Sequence, residues 1–362
     1  MLPIKETKNS ILNNNVSRGF RSPAVFVWRN EMLNYEEFKK VLEEQLSSYL
    51  PESLADSKVE MHSVEKVNGP IYEIAIIPQK ESGQAVHSML NVGALYDEYQ
   101  RIGDAGVIME QTVERLLEND ANIPANVMEV IDGGRDKIIM MLINTEQNKQ
   151  LLEKLPHRDI FDLSIVYRLA VDVNQNGMQS CLVDYKLAEK YGMDEQALYQ
   201  AAKAYTKEVL PPVVKDMNEV MRDMLKKDGM PDEIIEECIP NAPSGLMYVI
   251  SNSIGVNGAV SMLYEDELQK LAEKLGSDLY ILPSSLHEVI AVPSHLGELE
   301  QLAEMVHQVN MTTVDLKDRL SNQVYHYDKE LRTLTLATNT PNKLLENQVA
   351  EPQMIYETGQ SR

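Results

Sequence analysis

The sequence has few cysteines and no long apolar run, and both shortages exclude classes of protein. Its two cysteines, Cys181 and Cys238, lie far apart and have no cysteine or histidine close by in the sequence. This pattern predicts neither a disulfide framework nor a zinc site, so we expect no metal. The longest apolar candidates, such as residues 137–143 (KIIMMLI), have the length of a strand and not the roughly 18 residues that cross a bilayer. We therefore expect no membrane association.

A targeting signal is also missing from the pattern near the N-terminus. Residues 23–28 (PAVFVW) are too short for the apolar core of a signal peptide, and no small-residue cleavage site follows them. We therefore expect a cytoplasmic protein.

Positive charge is scarce. The chain has 34 Lys and Arg against 56 Asp and Glu, which gives a formal charge of −22. No basic stripe with interleaved aromatic residues offsets this charge, so nucleic-acid binding is disfavoured. An acidic surface favours a basic partner instead.

Length and patterning predict an α+β protein of two domains. A chain of 362 residues exceeds the size at which single cores usually stop growing. Strands alternate with amphipathic helices, which predicts two lobes of mixed, mainly antiparallel sheet with packed helices and a C-terminal helix–hairpin–helix–strand unit. The predicted domains are a disordered extension at 1–31, an α+β lobe at 32–185, a helical segment with a second α+β lobe at 186–338, and a flexible tail at 339–362.

Local signals support this outline. Asn34 with Glu37 three residues later is a capping box, which predicts a helix start. Asparagine–glycine turns at 68–70 and 174–177 each join two apolar extended runs, which predicts two hairpins. Residues 212–227 have apolar positions at three- and four-residue steps after a leading proline, which predicts a helix.

The motifs of several common enzyme families are missing. The chain lacks GxxxxGK[ST], GxGxxG after a strand, HExxH and GxSxG. We therefore predict no cofactor, and the sequence leaves open whether the protein is an enzyme.

The strongest candidate site is the polar segment between two short apolar strands, LPSSLHEVI at 282–290. In a hydrolase, His287 would be the general base and Ser285, or a water molecule, the nucleophile, with Ser284 and Glu288 as further candidates. Residues two or three apart in a tight loop rarely reach that alignment. The structural interpretation is therefore favoured: Ser284 and Ser285 satisfy backbone groups of the turn, and His287 forms a hydrogen bond across the hairpin.

A ligand-binding role without chemistry lies between these interpretations. The loop at 251–258 (SNSIGVNG) contributes the candidate binding residues Asn252 and Asn257. If this loop lies beside the hairpin tip at 284–288, the two would offer several hydrogen-bond donors and acceptors.

Two further segments have a functional and a structural interpretation. Arg158 is a weak candidate for anion binding, but an ion-pair cluster with Asp159 and Asp162 is favoured. The methionine-rich stretch at 217–230 would suit an adaptable partner groove, but methionines on an amphipathic helix more often fill gaps in the core.

Several segments together resemble an uncharacterised bacterial family, a domain of unknown function from Gram-positive gut anaerobes. The resemblance covers about residues 32–337, and its carriers are MLNYEEFKKVLEEQL, INTEQNKQLLEKLPHRDIFDLSIVYRL, SMLYEDELQKLAEKLGSDLYILPSSLHEVIAVP, EMVHQVN and LSNQVYHYD. It implies that Met32 lies near the usual start. It supplies no activity and no site residues.

These observations favour a cytoplasmic ligand-binding, protein-binding or adaptor protein. Its partner would be a basic protein surface or a small molecule recognised by the segment at 284–288. The alternative is a hydrolase that uses His287 as its base.

Overall fold

The computed structural model describes most of the chain, as residues 32–78, 87–123, 127–174, 177–239 and 245–338. The predicted extension at 1–31, the predicted tail at 339–362 and the centre of the turn at 175–176 lie outside these residues. Contacts divide the chain into an N-terminal unit, Met1–Val64 with Ile71–Pro124, and a C-terminal unit, Glu65–Pro70 with Ala125–Arg362.

This division falls near residue 124, whereas the sequence suggests a boundary at 185. Strands between these two positions pack in the C-terminal unit because they share one apolar core with later strands. Leu142 and Tyr167 lie in the same cluster of buried side chains as Ile250 and Ile281.

The N-terminal unit is built from three helices and a three-stranded sheet of order β1-β2-β3. Its elements are α1 Tyr35–Gln45, β1 Lys58–Lys66, β2 Gly69–Ile77, β3 Leu90–Asn91, α2 Val92–Ile102 and α3 Ala105–Ala121. The capping box is confirmed: the Asn34 side chain accepts the Glu37 N–H at 3.0 Å, and the Glu37 carboxylate accepts the Asn34 N–H at 3.0 Å. The first predicted hairpin is confirmed as β1 and β2.

The core of this unit follows from the spacing of apolar residues on α1. Phe38, Leu42 and Leu46 recur every four residues and so lie on one face of the chain. All three are fully buried and pack with Ile74 of β2 and Ile108 of α3.

The C-terminal unit contains a four-stranded and a six-stranded sheet. The strands are β4 Ile138–Asn144, β5 His157–Ile160, β6 Leu163–Asn174, β7 Gly177–Leu182, β8 Pro212–Asp216, β9 Tyr248–Asn252, β10 Leu279–Leu282, β11 Val289–Pro293, β12 Tyr325–Asp328 and β13 Thr333–Leu336. The helices are α4 Val127–Gly133, α5 Lys149–Leu152, α6 Tyr185–Tyr191, α7 Glu195–Val209, α8 Met217–Lys227, α9 Asp232–Cys238, α10 Glu265–Leu275 and α11 Leu299–Thr312.

The long strand β6 organises the smaller sheet. It pairs antiparallel with β4 from Leu169 opposite Ile138 to Leu163 opposite Asn144. The other edge of β6 pairs with β5 and with β7. β6 and β7 form the second predicted hairpin. Every residue of β4 is buried, as expected for an apolar run of strand length.

The larger sheet positions the candidate site. Its order is β13-β12-β10-β11-β9-β8, with neighbouring strands antiparallel. α10, the β10–β11 hairpin, α11 and β12 follow one another as the predicted helix–hairpin–helix–strand unit. The predicted α+β class is confirmed. Within the described ranges, no helix is long and apolar enough to cross a membrane.

The helix predicted over 212–227 is wrong in its first five residues, which form β8. Val213 and Val214 are β-branched, and their backbone pairs with Ser251 and Ile250 of β9. Asp216 ends the strand and caps α8, because its side chain accepts the N–H of Asn218 at 2.9 Å. The leading proline therefore begins an edge strand instead of a helix.

Candidate functional site

The loop that joins β10 to β11, residues 283–288, is held by backbone pairing. The N–H of Leu286 donates to the Asp318 carbonyl at 2.8 Å, and the N–H of Leu320 donates to the Ser284 carbonyl at 3.0 Å. Ser285 and Arg319 form an isolated antiparallel bridge. The 283–288 loop therefore has a second strand-like segment beside it and a defined shape.

The segment that follows β9 packs against the same loop. The N–H of Ala259 donates to the Leu286 carbonyl at 3.1 Å, and the Ser251 hydroxyl donates to the His287 carbonyl at 2.7 Å. A Cβ atom at Gly258 would lie 2.2 Å from the Ser251 Oγ and 2.6 Å from the His287 carbonyl oxygen. The close approach of these two segments therefore requires glycine.

The ring of His287 has a partner at each nitrogen. Its Nδ1 accepts the backbone N–H of Asn257 at 3.2 Å, and its Nε2 lies 3.3 Å from Oδ1 of Asp318. A neutral imidazole nitrogen that accepts a hydrogen bond has no proton, so the contacts assign the proton to Nε2, facing Asp318. The imidazole is therefore oriented by the backbone on one side and by a carboxylate on the other.

The two candidate serines do not join this arrangement as nucleophiles. Ser285 is buried, and its Oγ accepts the backbone N–H of His287 at 3.0 Å. Ser284 is half-buried, and its carbonyl accepts the N–H of Leu320. The unprotonated nitrogen of His287 faces Asn257, so the contacts do not assemble a serine–histidine relay.

Glu288 is the least satisfied group of the loop. Its side chain is half-buried, and its carboxylate has neither a hydrogen bond nor an ion pair to any residue that the structure describes. Burial raises the pKa of Glu288, and the negative charge of Asp318 adds to this effect, while His287 opposes it. Binding a cation at this carboxylate would offset the loss of hydration.

The two asparagine candidates have structural contacts. Asn252 is buried and closes the turn after β9: its Nδ2 donates to the Val256 carbonyl at 2.8 Å, and its Oδ1 accepts the Ile254 N–H at 3.1 Å. Asn257 has a positive φ of 53° and supplies the backbone N–H that meets His287. Both residues shape the site through the backbone of this turn.

Arg158 belongs to a different cluster from the one predicted. It forms a two-pronged ion pair with Glu195 of α7, with Nε–Oε1 at 2.9 Å and Nη2–Oε2 at 2.7 Å, in place of the expected partners Asp159 and Asp162. Its guanidinium lies 4.0 Å from the centre of the Tyr199 ring. The hydrogen bond from Arg158 holds the pKa of Glu195 below its ordinary value. The positive charge of Arg158 is thus already paired with Glu195, so an anion would gain little by binding there.

Sequence reasoning missed the residues that complete the site from elsewhere in the chain. Asp318 lies in a short 3-10 turn far from His287 in sequence, and nothing in its surroundings signals the contact. The Asn68 side chain holds that turn, donating to the carbonyls of Lys317 at 2.9 Å and Arg319 at 2.7 Å. Only the tertiary fold brings these segments together.

Metal coordination is not the chemistry that the described residues offer. No group of three or more His, Cys, Asp or Glu side chains in the described ranges is arranged to hold a metal ion. The site therefore consists of one oriented imidazole, two carboxylates and backbone groups.

Comparisons with known proteins give a family but no activity. A family model described as a family of unknown function (DUF5688) matches residues 35–329. No curated protein matches the chain, and no solved structure matches it. The resemblance drawn from the sequence is confirmed at the level of a family of unknown function, and the source in Gram-positive gut anaerobes stays a prediction.

Proposed function

The chain belongs to DUF5688, a family of unknown function, and from the candidate site alone we propose that it binds, without transforming it, a ligand with an amino or guanidinium group. The observation that carries this proposal is the half-buried carboxylate of Glu288, which has no partner among the described residues. A carboxylate that loses hydration without gaining a partner destabilises the free protein. A cationic ligand restores the lost interaction.

The neighbouring groups favour a cation over other ligands. Asp318 adds a second negative charge beside Glu288 and contributes to its raised pKa. The formal charge of −22 attracts cations toward the whole chain. A basic side chain of a partner protein and a small amine share this chemistry.

Binding is favoured over catalysis because His287 is already engaged. A general base must present an unprotonated nitrogen to the proton it removes, and Nδ1 of His287 instead accepts the Asn257 N–H. The hydrolase alternative would require the ring to leave this contact. No contact of Ser284 or Ser285 supports that rearrangement.

We also propose that the protein is cytoplasmic. Cys181 and Cys238 are both free thiols, which suits a compartment that keeps thiols reduced.

The test is a calorimetric titration with two probes, a blocked glycine–arginine–glycine peptide and 1,4-diaminobutane. Glu288→Gln should weaken binding about tenfold or more, because a hydrogen bond to a charged group contributes about 1.5–3 kcal/mol and about 1.4 kcal/mol corresponds to tenfold. Binding of the peptide alone would indicate a protein partner, and binding of the diamine alone a small ligand.

The matched control is Glu300→Gln, which removes one exposed carboxylate of α11 and should leave both affinities unchanged. If neither probe binds the wild-type protein, or if Glu288→Gln binds as tightly as wild type, the proposal is wrong.

A further inference from the structure

Helix α8 presents methionines to solvent, contrary to the core packing that the sequence favours for this stretch. Met217, Val220, Met221 and Met224 recur at three- and four-residue steps, so they lie on one face. Met221 is 44 % exposed and Met224 is 61 % exposed, and no residue of α8 is buried. We call these four residues the methionine face.

The opposite side of α8 carries ion pairs between exposed side chains. Lys215 of β8 pairs with Asp223 at 2.7 Å and with Glu219 at 3.8 Å, and Lys226 pairs with Asp232 at 3.0 Å. At about 100° per residue, Glu219, Asp223 and Lys226 lie about 190–250° around the axis from the centre of the methionine face. Ion pairs therefore form on the polar side, whereas Met221 and Met224 remain 44 % and 61 % exposed against the residues that the structure describes.

Two further apolar side chains are exposed in the segment that follows the helix. Met230 is 36 % exposed in the turn that follows, and Ile234 is 46 % exposed in α9. Methionine is flexible and polarisable, so it adapts to partners of different shape. A helix with exposed methionines therefore has the properties of a docking surface.

The charge around this surface selects the partner. Residues 216–238 contain three basic side chains, Arg222, Lys226 and Lys227, and eight acidic ones, Asp216, Glu219, Asp223, Asp228, Asp232, Glu233, Glu236 and Glu237. A second copy of this chain would bring the same acidic segment against itself, and an anionic lipid surface would be repelled. A basic partner is attracted to this segment both as it approaches and once it is bound.

We propose that the methionine face docks a basic amphipathic helix of a partner protein. The partner helix would lay its apolar residues, spaced by three and four, against Met221 and Met224. Its lysines or arginines would face the exposed carboxylates of the segment that follows α8, which are Asp228, Glu233, Glu236 and Glu237.

This surface is separate from the 283–288 loop. β8 and β9 run antiparallel, with Pro212 opposite Asn252 and Asp216 opposite Tyr248. The candidate site lies at the Asn252 end, and α8 begins at the Asp216 end. The inference therefore does not rest on the function proposed for Glu288.

The probe for this surface is a fluorescein-labelled lysine–leucine peptide of about 18 residues, with leucines on one helical face. Fluorescence anisotropy should show saturable binding to the full chain that weakens as salt is added. A glutamate–leucine peptide with the same apolar face should bind at least about tenfold more weakly. The double variant Met221→Gln/Met224→Gln should lose about tenfold or more in affinity for the lysine–leucine peptide.

The control variant is Leu331→Gln, which removes a 72 % exposed leucine from the turn between β12 and β13. It should bind the lysine–leucine peptide like wild type. Thermal unfolding of each variant checks the fold, and Met224→Gln alone serves if the double variant is unstable.

Three results would overturn the assignment. The first is equal binding by wild type and the methionine variants, or no binding by wild type. The second is a concentration-dependent dimer in sedimentation that the variants abolish, which would identify a second copy as the occupant. The third is methionine-dependent flotation with phosphatidylglycerol vesicles, which would identify a lipid surface.

Discussion

Replacing Gly258 by alanine tests whether the close contact between two segments holds the candidate site together. The added Cβ would lie 2.2 Å from the Ser251 Oγ, 2.6 Å from the His287 carbonyl oxygen and 2.7 Å from the Asn252 nitrogen. Two of these three atoms belong to the backbone and cannot rotate away. The segment at 257–259 must therefore shift from the 283–288 loop.

The cost follows from what that shift breaks. Forcing an extra methyl group into a packed interior costs about 1–3 kcal/mol. Loss of the 2.7 Å hydrogen bond from Ser251 to the His287 carbonyl adds about 1 kcal/mol. We expect Gly258→Ala to lower the free energy of unfolding by about 2–4 kcal/mol, measured from the midpoint and slope of urea unfolding.

Gly133→Ala is the matched control in the same unit. Gly133 ends α4 with a φ of −94°, and a Cβ there would meet nothing within 4 Å. Alanine should leave stability unchanged or raise it by up to about 1 kcal/mol, because it restricts the unfolded chain. A Gly258→Ala variant as stable as the Gly133→Ala variant would mean that the close contact at Gly258 does not stabilise the fold.

Three further substitutions test particular contacts. Glu195→Gln should remove a stabilising contribution that is present in full above about pH 4.3, the ordinary pKa of glutamate, and is lost as pH falls through the lowered pKa of the folded state. The free energies of unfolding of wild type and variant, measured from pH 7 to pH 3, should therefore converge at the acidic end. Tyr325→Phe removes the hydroxyl that donates to Asp162 and should cost about 1.5–3 kcal/mol in urea unfolding, and an unchanged midpoint would contradict this. Asn34→Ala removes the N-cap of α1 and should cost about 1 kcal/mol in thermal unfolding, whereas a cap without effect would leave the melting temperature unchanged.

Local signals in the sequence were sufficient to predict those elements whose structure depends on neighbouring residues. The cap predicted at Asn34 has the predicted bonds, and the turn predicted at 68–70 joins β1 to β2. Their determinants lie within a few residues in sequence. The start of the helix predicted at 212 failed because pairing with β9, more than thirty residues later, decides the structure of β8.

The candidate site shows the same limit. The sequence predicted that polar residues gather at 284–288, and it predicted a histidine contact across the hairpin region. It gave no signal for Asp318, because that pairing depends on how two distant segments meet. Periodicity predicted an apolar face on α8 but not that Met221 and Met224 would remain exposed, since cover for a helix face comes from tertiary packing.

Following the carboxyl carbon of Glu288 by NMR across a pH titration shows whether this carboxylate binds a cation. In the free protein, the pKa of Glu288 should lie above the ordinary value for a glutamate, because the carboxylate is partly buried. Addition of the blocked glycine–arginine–glycine peptide, or of 1,4-diaminobutane, should lower that pKa. If Glu288 titrates at the ordinary value and its pKa does not respond to either probe, this carboxylate is not a cation-binding group.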